Sequence, residues 1–472
     1  MKLFLGIDLG TSYFKVGVFD EQGQTRGLGR LGVEPVAPVP GHAELPVDQF
    51  WRLLRAGVGT ALKMAAATPS DIAGVSYSSQ ANTFVLLGKG DEPLTPFILW
   101  TDKRVAALDP DLVEFSCSVQ FGEATGFNGM TNQWAAAKWR WFQQQRPAVW
   151  RSMRRIMTMS DYFTHALTGE RVGDAGTAAL LGVYELVRGT WWPEGLRRLE
   201  IEPAQLSRPL RPGAPAGHTN KGTMALLGLP ADIPIAVGGL DHQVAALGSG
   251  LGSIADVSIS TGTVLAAMAL VRNPVVQSGC YHGPHFSEDR FYRLAFDPNG
   301  AGRLEKLQKR LFPKVSIGTM IEDAIQEVAP LGALGAGQQV ARQEILNILT
   351  SVARAQGHLI GQVAQTDLVH RIVATGGGAR SAAWLQMKAD FFGIPIVTPT
   401  SAERACLGAA ILAGVAAGAF VDIASATTAM VRTSDEIQPR ALGIPPRTGE
   451  LRSDGGNGGC ARVALTRHRS PR

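Results

Sequence analysis

Residues 3–19 of the 472-residue chain read Leu-Phe-Leu-Gly-Ile-Asp-Leu-Gly-Thr-Ser-Tyr-Phe-Lys-Val-Gly-Val-Phe. The apolar residues on either side of Gly10-Thr11-Ser12 predict two buried strands joined by a glycine turn. A Rossmann or P-loop nucleotide site needs a helix after its glycine turn. Because a strand follows here, the opening segment disfavours both of those folds.

A similar segment begins the second half of the chain. Residues 257–265 read Val-Ser-Ile-Ser-Thr-Gly-Thr-Val-Leu, which again predicts strand, Gly-Thr turn and strand. This repeat predicts duplicated α/β domains with a cleft between them. The predicted division is 1–245 for the first domain, 246–436 for the second, and 437–472 for an arginine- and glycine-rich tail that is expected to be poorly ordered.

Other elements are predicted around this repeat. Apolar residues at helical spacing predict an amphipathic helix over 46–66, followed by a strand over 72–77. A strand over 372–374 leads into Gly376-Gly377-Gly378, and a helix is predicted behind it over 384–392.

The charge distribution argues against nucleic acid as a partner. The formal net charge is +5. From residue 440 onward there are seven arginines against Glu450 and Asp454, so seven minus two accounts for the whole excess. The remaining body is formally neutral and has no basic stripe with interleaved aromatic residues.

The cysteines and the apolar runs bear on the compartment. Cys117, Cys280, Cys406 and Cys460 are far apart in sequence and have no metal-ligand spacing, so we interpret them as buried free thiols in a reducing compartment. No apolar run reaches membrane-spanning length. The apolar stretch before Asp8 is too short for the hydrophobic region of a signal peptide. We therefore expect a cytoplasmic protein that does not contact a membrane.

Three short motifs have the residues that bind nucleotides. Asp8, at the end of a buried strand, can hold Mg²⁺ through water, and Gly10-Thr11-Ser12 offers phosphate backbone and hydroxyl donors. A plain β-hairpin explains the same string about as well. Ser260-Thr261-Gly262-Thr263 has similar donors, and the triple glycine at 376–378 lets the backbone lie against a ring or ribose. Taken singly, the first of these two motifs is explained by an ordinary polar turn and the triple glycine by a flexible loop.

In this order, and with three further segments, the motifs resemble the FGGY family of carbohydrate kinases. The further segments are Leu-Trp-Thr-Asp-Lys-Arg at 99–104, residues 162–170 ending in Ala-Leu-Thr-Gly-Glu, and Gly-Gly-Leu-Asp-His-Gln at 238–243. The triple glycine itself lies within Ala-Thr-Gly-Gly-Gly-Ala-Arg-Ser at 374–381, with Glu403 downstream. The resemblance covers about residues 1 to 430. It implies two actin-like (ribonuclease H-like) α/β domains with an ATP and sugar cleft between them.

The resemblance also implies residue roles. Asp241 would be the general base that takes a proton from the sugar hydroxyl, although it could also be a helix N-cap. Asp8 would hold Mg²⁺. The nucleotide contacts implied for ATP are Thr11, Ser12, Thr261, Gly262 and Thr263 for the phosphates and Gly377 and Gly378 for the adenosine.

Sugar contacts are expected in the first domain. The candidates are Gln80, Asn82, Trp100, Asp102 and Arg104. Trp100 could equally be a core residue, and Asp102 with Arg104 could be a structural ion pair that braces the site. The expected partner is a small sugar or polyol, and any oligomer is expected to be a homodimer.

The chain departs from the family pattern at several places. Where xylulose-specific members have Gln-Met-His-Gly, residues 80–83 are Gln-Ala-Asn-Thr, and the Arg-Glu pair of glycerol kinases is absent. The second domain is short between 304 and 373, and the end of the chain looks diverged or frameshifted. The sequence therefore predicts an ATP-dependent kinase of a ketose such as xylulose, or of a polyol. An actin-like regulatory ATP binder and a degenerate, weakly active kinase remain alternatives.

Overall fold

A computed structural model of the chain describes residues 2–274, 279–326, 336–364 and 368–440. The elements of the first half are β1 (Leu3–Leu9), β2 (Tyr13–Asp20), β3 (Thr25–Gly32), β4 (Glu44–Leu45), α1 (Val47–Ala65), β5 (Ile72–Ser79), β6 (Phe84–Leu87), β7 (Phe97–Ile98), α2 (Pro110–Ser116), α3 (Val119–Thr125), α4 (Ala135–Gln145), α5 (Pro147–Ser152), β8 (Arg155–Thr158), α6 (Met159–Thr168), β9 (Val172–Asp174), α7 (Ala175–Ala178), β10 (Tyr184–Glu185), β11 (Thr190–Trp191), α8 (Pro193–Arg198), β12 (Arg208–Leu210), β13 (Pro215–His218), α9 (Thr223–Leu227), β14 (Pro234–Ala236), β15 (Gly239–Leu240) and α10 (Asp241–Leu247).

The second half continues the chain with fewer, longer elements. They are β16 (Val257–Thr261), β17 (Leu265–Val271), β18 (Cys280–Pro284), β19 (Phe291–Asp297), α11 (Gly302–Leu311), α12 (Ile317–Gln326), α13 (Ala336–Ala364), β20 (Ile372–Gly376), α14 (Ala382–Phe392), β21 (Ile396–Val397), α15 (Arg404–Ala416) and α16 (Ile423–Met430).

Each half contains a mixed sheet built on the same plan. In the first sheet the order is β13-β14-β5-β1-β2-β3; β1 and β2 are antiparallel, and β1 and β5 are parallel. In the second sheet the order is β18-β19-β17-β16-β20-β21; β16 pairs antiparallel with β17 and parallel with β20. Strands β1 and β16 therefore hold equivalent positions, as the repeated strand-turn-strand motif requires.

Helices cover both faces of the first sheet. Alternate residues of β1 point to opposite faces. Leu5 and Ile7 belong to the core on the side of α1, whereas Phe4 packs with residues of α15 on the other side. All seven residues of β1 are buried for this reason, which explains its uninterrupted apolar sequence.

Helices α10 and α15 pack against each other beside the first sheet. They approach closely because each has a glycine at the contact. A Cβ atom on Gly248 would lie 2.0 Å from the carbonyl oxygen of Arg404, and one on Gly408 would lie 2.0 Å from that of Val244. Helix α15 lies in the range predicted for the second domain, 246–436, yet it packs on β1 and β5. The domain boundaries themselves stay a prediction.

A smaller sheet interrupts the first domain. Its order is β4-β7-β6-β8, and it packs with helices α2 to α4 around an aromatic core that includes Phe84, Phe121 and Trp139. The loop after β7 has Trp100 to Arg104, so this sheet fixes one wall of the cleft described below.

The described chain ends in contact with the second half. Ile437 exchanges two backbone hydrogen bonds with Ile396, of 2.9 and 3.1 Å. Arg440 binds the Asp390 carboxylate through its backbone N–H and its guanidinium group. The packing of the second half thus extends four residues beyond Glu436, and the rest of the expected tail, 441–472, lies outside the described residues.

Two further expectations meet the structure here. Cys280 and Cys406 are free and buried, as expected, whereas Cys117 is disulfide-bonded and the expectation of a free thiol is wrong for it. Across the described ranges, no helix combines the length and apolar character needed to cross a bilayer.

Candidate active site

The two predicted carboxylates meet at one edge of the first sheet. Strands β1 and β15 both run parallel to β5, and Asp8 lies opposite Ser78 while Leu240 lies opposite Ser79. Asp241 follows Leu240 directly and begins α10. The carboxyl ends of parallel strands meet at one edge, so two acids that are 233 positions apart in sequence come together there.

Asp8 is buried and electrostatically unfavourable as an anion. Its Oδ1 accepts a hydrogen bond of 3.1 Å from the Ser78 hydroxyl, and Lys15 Nζ lies 3.9 Å from its Oδ2. Burial, together with a smaller contribution from the negative charge of Asp241, raises the pKa of Asp8 to about 6 against the lowering effect of Lys15. A divalent cation at this position would offset the cost of burying the Asp8 carboxylate and its repulsion by Asp241.

Lys15 is a site residue that the sequence analysis missed. It lies on β2 directly opposite Asp8, and its ammonium group is 2.8 Å from Glu403, which precedes α15. Burial lowers the pKa of Lys15, but the hydrogen bond and charge of Glu403 outweigh it, so the pKa is raised. The hairpin register could have revealed Lys15, since residues equidistant from the turn lie opposite each other in an antiparallel pair.

Asp241 is the first residue within α10, and Leu240 occupies the N-cap position. Its Oδ1 accepts a 2.7 Å hydrogen bond from the backbone N–H of His242. The alternative interpretation as an N-cap is therefore not the geometry observed. A carboxylate in the first turn is favoured by the helix dipole, and the side chain keeps partial exposure.

The predicted phosphate turn at Gly10-Thr11-Ser12 is braced by two predicted sugar residues. Gln80 Nε2 donates to the carbonyl oxygen of Gly10 at 3.0 Å, and Trp100 Nε1 donates to Thr11 Oγ1 at 2.7 Å. Ser12 is exposed. The prediction was that these residues contact separate ligands, Gln80 and Trp100 the sugar and Thr11 the phosphates, and the structure places them in direct contact.

The corresponding turn of the second sheet follows β16. Thr261 is buried, and its Oγ1 accepts hydrogen bonds from Lys388 Nζ at 2.7 Å and Gln356 Nε2 at 2.9 Å. Gly262 and Thr263 are at least partly exposed. The Thr261 hydroxyl thus holds the turn from beneath, while Gly262 and Thr263 are open to a ligand.

Lys388 is fully buried beneath this turn, and the sequence analysis did not identify it. Its ammonium group lies 4.1 Å from the centre of the Trp384 ring. Burial lowers the pKa of Lys388 to about 7. Because Lys388 and Thr261 are 127 positions apart, no local sequence signal connects them.

The triple glycine lies beside the same turn. Gly376 ends β20 opposite Thr261 and has φ +83°, a backbone conformation that favours glycine. Gly377 is exposed, whereas Gly378 is buried, and a Cβ atom on it would lie 2.6 Å from Thr261 Cγ2. The structure therefore brings together the predicted second phosphate turn and the predicted adenosine segment.

Asp102 and Arg104 form a buried ion pair. Arg104 Nε donates to Asp102 Oδ1 at 2.8 Å and a terminal nitrogen donates to Glu44 at 2.7 Å. Asp102 also accepts from the backbone N–H of Ala43 at 2.7 Å. This is the bracing arrangement that the sequence analysis held open, and contact with sugar hydroxyls stays a prediction for these two residues.

The same cluster contains His42, which with Glu44 and Asp102 has the spacing of a metal-binding group. The guanidinium of Arg104 already supplies the positive charge between the two carboxylates. These three residues therefore do not need a cation to offset their charge, and Asp8 stays the predicted metal ligand.

The remaining first-domain candidates have mixed surroundings. Gln80 is buried, and its Oε1 accepts from the Thr83 hydroxyl. Asn82 has φ 59°, and its Oδ1 accepts from the backbone N–H of Ala135 at the start of α4. Lys138, which the sequence analysis missed, donates to the carbonyl oxygens of Leu99 and Trp100 and holds that loop. Burial lowers the pKa of Lys138 to about 7.

A cavity of about 410 Å³ opens next to Asp241, and both halves line it. Its aromatic residues are Trp100, Phe127 and Trp134 from the first half, with Tyr281, Tyr292 and Phe296 from the second. Leu240 and His242, the immediate neighbours of Asp241, also line it. The volume is in the range of small-molecule sites, and aromatic faces suit the C–H faces of a small sugar.

Comparison with known proteins supports the family resemblance found in the sequence. Residues 3–248 match the model of the N-terminal domain of the FGGY family of carbohydrate kinases, and residues 331–417 match the model of its C-terminal domain. An L-xylulose/3-keto-L-gulonate kinase from Escherichia coli (strain K12) is 25% identical over 457 residues, which cover 90% of each chain.

Solved structures show the same fold. A ligand-bound xylulose kinase from Lactobacillus acidophilus superposes with a TM-score of 0.80 at 21% identity, covering 93% of this chain and 94% of the other. A xylulose kinase from Rhodospirillum rubrum gives a TM-score of 0.80 at 23% identity, covering 95% and 96%. The expected two-domain actin-like α/β fold is confirmed.

Proposed function

The chain belongs to the FGGY family of carbohydrate kinases and is an ATP-dependent sugar kinase, and from this premise we propose that it phosphorylates a ketose such as xylulose, or a polyol, with Asp241 as the general base. The observation that carries the proposal is the meeting of Asp8 and Asp241 at one sheet edge, beside a cavity that both halves line.

Asp241 orients the acceptor. Its partly exposed carboxylate lies next to two cavity-lining residues, so a sugar hydroxyl in the cavity can donate to it. As that hydroxyl oxygen forms its bond to the γ-phosphorus, the bond from phosphorus to the β,γ-bridging oxygen breaks and ADP leaves. The hydroxyl proton passes to Asp241.

The donor is held by the two glycine turns. Thr11 and Ser12 of the first turn, with Gly262 and Thr263 of the second, offer backbone and hydroxyl donors to phosphate oxygens. The role proposed for Thr261 is to fix the second turn, supported by its bonds to Lys388 and Gln356. Gly377 and Gly378 are proposed to contact the adenosine.

Asp8 would hold Mg²⁺, whose charge neutralises the phosphate oxygens when it is bound. The residues fit such an ion because Asp8 is a buried carboxylate with a raised pKa near a second acid. Lys15 lies within 4 Å of Asp8 and provides a further positive charge at this edge.

Among the first-domain candidates, we propose that Trp100 packs against the sugar and that Gln80 and Asn82 shape its site. The half-exposed Trp100 ring lines the cavity. Asp102 and Arg104 are proposed to brace the loop that presents Trp100, since their charged groups are bonded to each other. A cytoplasmic location and a homodimeric assembly remain proposals.

The experiment that tests this proposal is an ATP-consumption screen of the purified protein with Mg²⁺. The acceptors are ketopentoses, ketohexoses, heptuloses and polyols, with ATP alone as the blank. Sugar-dependent ADP formation by one of them supports the proposal and names the acceptor. Nucleotide binding without sugar-dependent ADP formation would instead favour a regulatory ATP binder, and uniformly slow turnover a degenerate kinase.

A further inference from the structure

Two buried polar side chains of the cavity have unsatisfied atoms. Gln243 Oε1 is buried without a hydrogen-bond partner, and neither ring nitrogen of His282 makes a hydrogen bond of normal geometry. Both residues line the cavity and are about 3% exposed. Buried polar atoms are paired in most proteins, and leaving one unpaired is unfavourable, so a ligand in the cavity is the natural partner for these atoms.

The Gln243 side chain lies in a slot between two glycines, one from each half of the chain. A Cβ atom on Gly176 would lie 2.6 Å from Gln243 Oε1, and one on Gly283 would lie 2.3 Å from its Nε2. Gly176 belongs to α7 and Gly283 to β18. Any larger residue at either position would displace the amide of Gln243. The absence of a side chain at both glycines therefore leaves room for this amide.

His282 is uncharged at neutral pH. Burial lowers its pKa to about 4, with a smaller effect in the same direction from Arg293 and an opposing one from the backbone of Gly126. A neutral imidazole has one donor and one acceptor nitrogen, and an amide oxygen is an acceptor. Hydroxyl groups, which both donate and accept, complement this pair.

Among the described residues that line the cavity there is no Asp, Glu, Lys or Arg. The lining histidines are His282 and His242, and His242 is exposed. Arg293 is fully buried behind His282 on the neighbouring strand and makes its own interactions.

At the adjoining sheet edge, Asp241, Asp8 and Glu403 contribute three acidic groups against the single ammonium group of Lys15, which lies 2.8 Å from Glu403. A carboxylate on the acceptor would meet repulsion from these acids, and no Lys or Arg among the described lining residues would offset it.

We propose that Gln243 and His282 form a specificity subsite that binds hydroxyl groups of a neutral ketose or polyol and discriminates against sugar acids. This inference rests on the proposed function, because it assigns the acceptor class of the same cavity. The name of the Escherichia coli relative includes an acidic acceptor, 3-keto-L-gulonate. We expect this chain to bind such an acid poorly.

The test compares acceptors that differ only at C1, where one has a CH2OH group and the other a carboxylate. D-glucitol with D-gluconate, and xylitol with D-xylonate, are matched pairs, and the neutral ketose that performs best in the screen is added. Binding is followed by the total tryptophan fluorescence, to which Trp100 and Trp134 of the cavity lining contribute, and turnover by ADP formation. We expect the neutral member of each pair to bind at least about tenfold more tightly, as a site built for hydroxyl groups should. Equal or tighter binding of the acid would overturn the proposal.

Variants locate the subsite. Gln243→Ala and His282→Ala should each raise the KM for the neutral acceptor at least about tenfold while the KM for ATP stays within about twofold. His282→Asn keeps an uncharged donor and acceptor and should recover part of the loss. His218→Ala, on the exposed end of β13, is the control and should match the wild type. An unchanged acceptor KM in folded Gln243→Ala and His282→Ala proteins would refute the assignment.

Failure of the subsite and failure of the proposed kinase activity give different results. Phosphorylation of acids and neutral sugars with equal efficiency would overturn the subsite but leave the kinase proposal standing. Absence of transfer to any acceptor would count against the proposed function. The fluorescence comparison of the matched pairs on the wild type would then still decide the subsite, even if the alanine variants did not fold.

Discussion

At the residue scale, the proposed chemistry gives different roles to two nearby acids, general base to Asp241 and metal ligand to Asp8. Asp241→Asn preserves the shape of the side chain but removes the proton acceptor. Loss of a general base typically costs about 10²–10⁴-fold in rate, so we expect kcat to fall by that amount. The defect should persist at saturating sugar, ATP and Mg²⁺, with nucleotide affinity unchanged, as measured by steady-state kinetics and equilibrium binding.

Asp48→Asn, on the exposed surface of α1, is the control for introducing an amide. A near wild-type kcat for Asp241→Asn would mean that Asp241 acts only at the start of α10, and the proposed base would have to be replaced.

Asp8 leads to a prediction about pH. Its folded-state pKa, about 6, is above the ordinary value of 3.8, so the folded protein binds this proton more tightly than the unfolded chain. Without Mg²⁺, the associated stability is fully present below about pH 4 and is lost as the pH rises through 6. The free energy of unfolding should therefore be about 3 kcal/mol lower well above pH 6 than below pH 4, as far as Asp8 is concerned. Asp8→Asn should therefore be more stable than the wild type above pH 7 when metal is absent.

Thermal denaturation from pH 4.5 to 8, with and without Mg²⁺, measures this effect. Added Mg²⁺ should stabilise the wild type in the presence of nucleotide and have little effect on Asp8→Asn. The Mg²⁺ concentration needed for half-maximal activity of the wild type should rise as the pH falls below 6, because protonation removes the ligand. A metal requirement of Asp8→Asn equal to that of the wild type would contradict the assignment.

Residues in a contiguous motif could be predicted, and residues joined only by the fold could not. Asp8 and the turn after it lie within one strand-turn-strand string, so the apolar runs on either side of the turn were enough to place them. Lys388 beneath Thr261 and His282 in the cavity depend on contacts between distant segments. A buried lysine or histidine has no sequence pattern that distinguishes it from an exposed one.

At the element scale, the contact between α10 and α15 depends on two glycines. A Cβ atom on Gly408 would lie 2.0 Å from the carbonyl oxygen of Val244, so Gly408→Ala must push the helices apart. Such overpacking typically costs about 1–3 kcal/mol. Because α10 begins with Asp241, we also expect kcat to fall. Chemical denaturation and steady-state kinetics measure the two effects.

The matched control is Gly59→Ala in α1. Gly59 is exposed, and a Cβ atom there would meet nothing within 4 Å. Alanine should stabilise this helix by about 0.5–1 kcal/mol. If both variants changed stability equally and in the same direction, the close approach of α10 and α15 would not be the cause.

The accuracy of the predicted elements follows the strength of their periodicity. The helix expected over 46–66 is α1, Val47–Ala65, because its apolar residues recur on one face. The sheet order β4-β7-β6-β8 was not foreseen, since β4 and β7 each have only two residues and show no alternation. The packing of α15 against the first sheet was also missed, because an alanine-rich helix gives no indication of which domain it covers.

For the whole molecule, the four described residues after Glu436 test how far the second domain extends. Truncation after Arg440 keeps the backbone pairing of Ile437 with Ile396 and the ion pair of Arg440 with Asp390. Truncation after Glu436 removes both. We expect the shorter protein to have the lower melting temperature and the longer one to match the full chain, because residues 441–472 have no apolar periodicity.

Both truncations are compared with the full chain in reductant, so that the disulfide of Cys117 does not contribute. Equal melting temperatures for all three proteins would show that residues 437–440 add nothing to the fold. A loss on truncation after Arg440 would show that the tail stabilises the protein, contrary to the expectation from its sequence.

The cleft between the halves decides whether sugar and nucleotide bind independently. Sequence analysis separated the sugar residues from the nucleotide turns, which predicts that Trp100→Ala weakens sugar binding and leaves ATP binding nearly unchanged. The structure adds a direct link, the 2.7 Å hydrogen bond from Trp100 Nε1 to Thr11 Oγ1. Trp100→Phe removes this hydrogen bond and keeps an aromatic face.

We therefore expect the two variants to differ. Trp100→Ala should raise the Kd for sugar at least about tenfold, because it removes a half-exposed ring from the cavity wall. Trp100→Phe should stay within about threefold for sugar and weaken ATP binding by a similar small factor, as loss of one hydrogen bond predicts. Calorimetric titration of each ligand alone measures both constants. Equal loss of sugar and ATP affinity in Trp100→Ala would show that Trp100 supports the whole cleft, and its assignment as a sugar contact would be wrong.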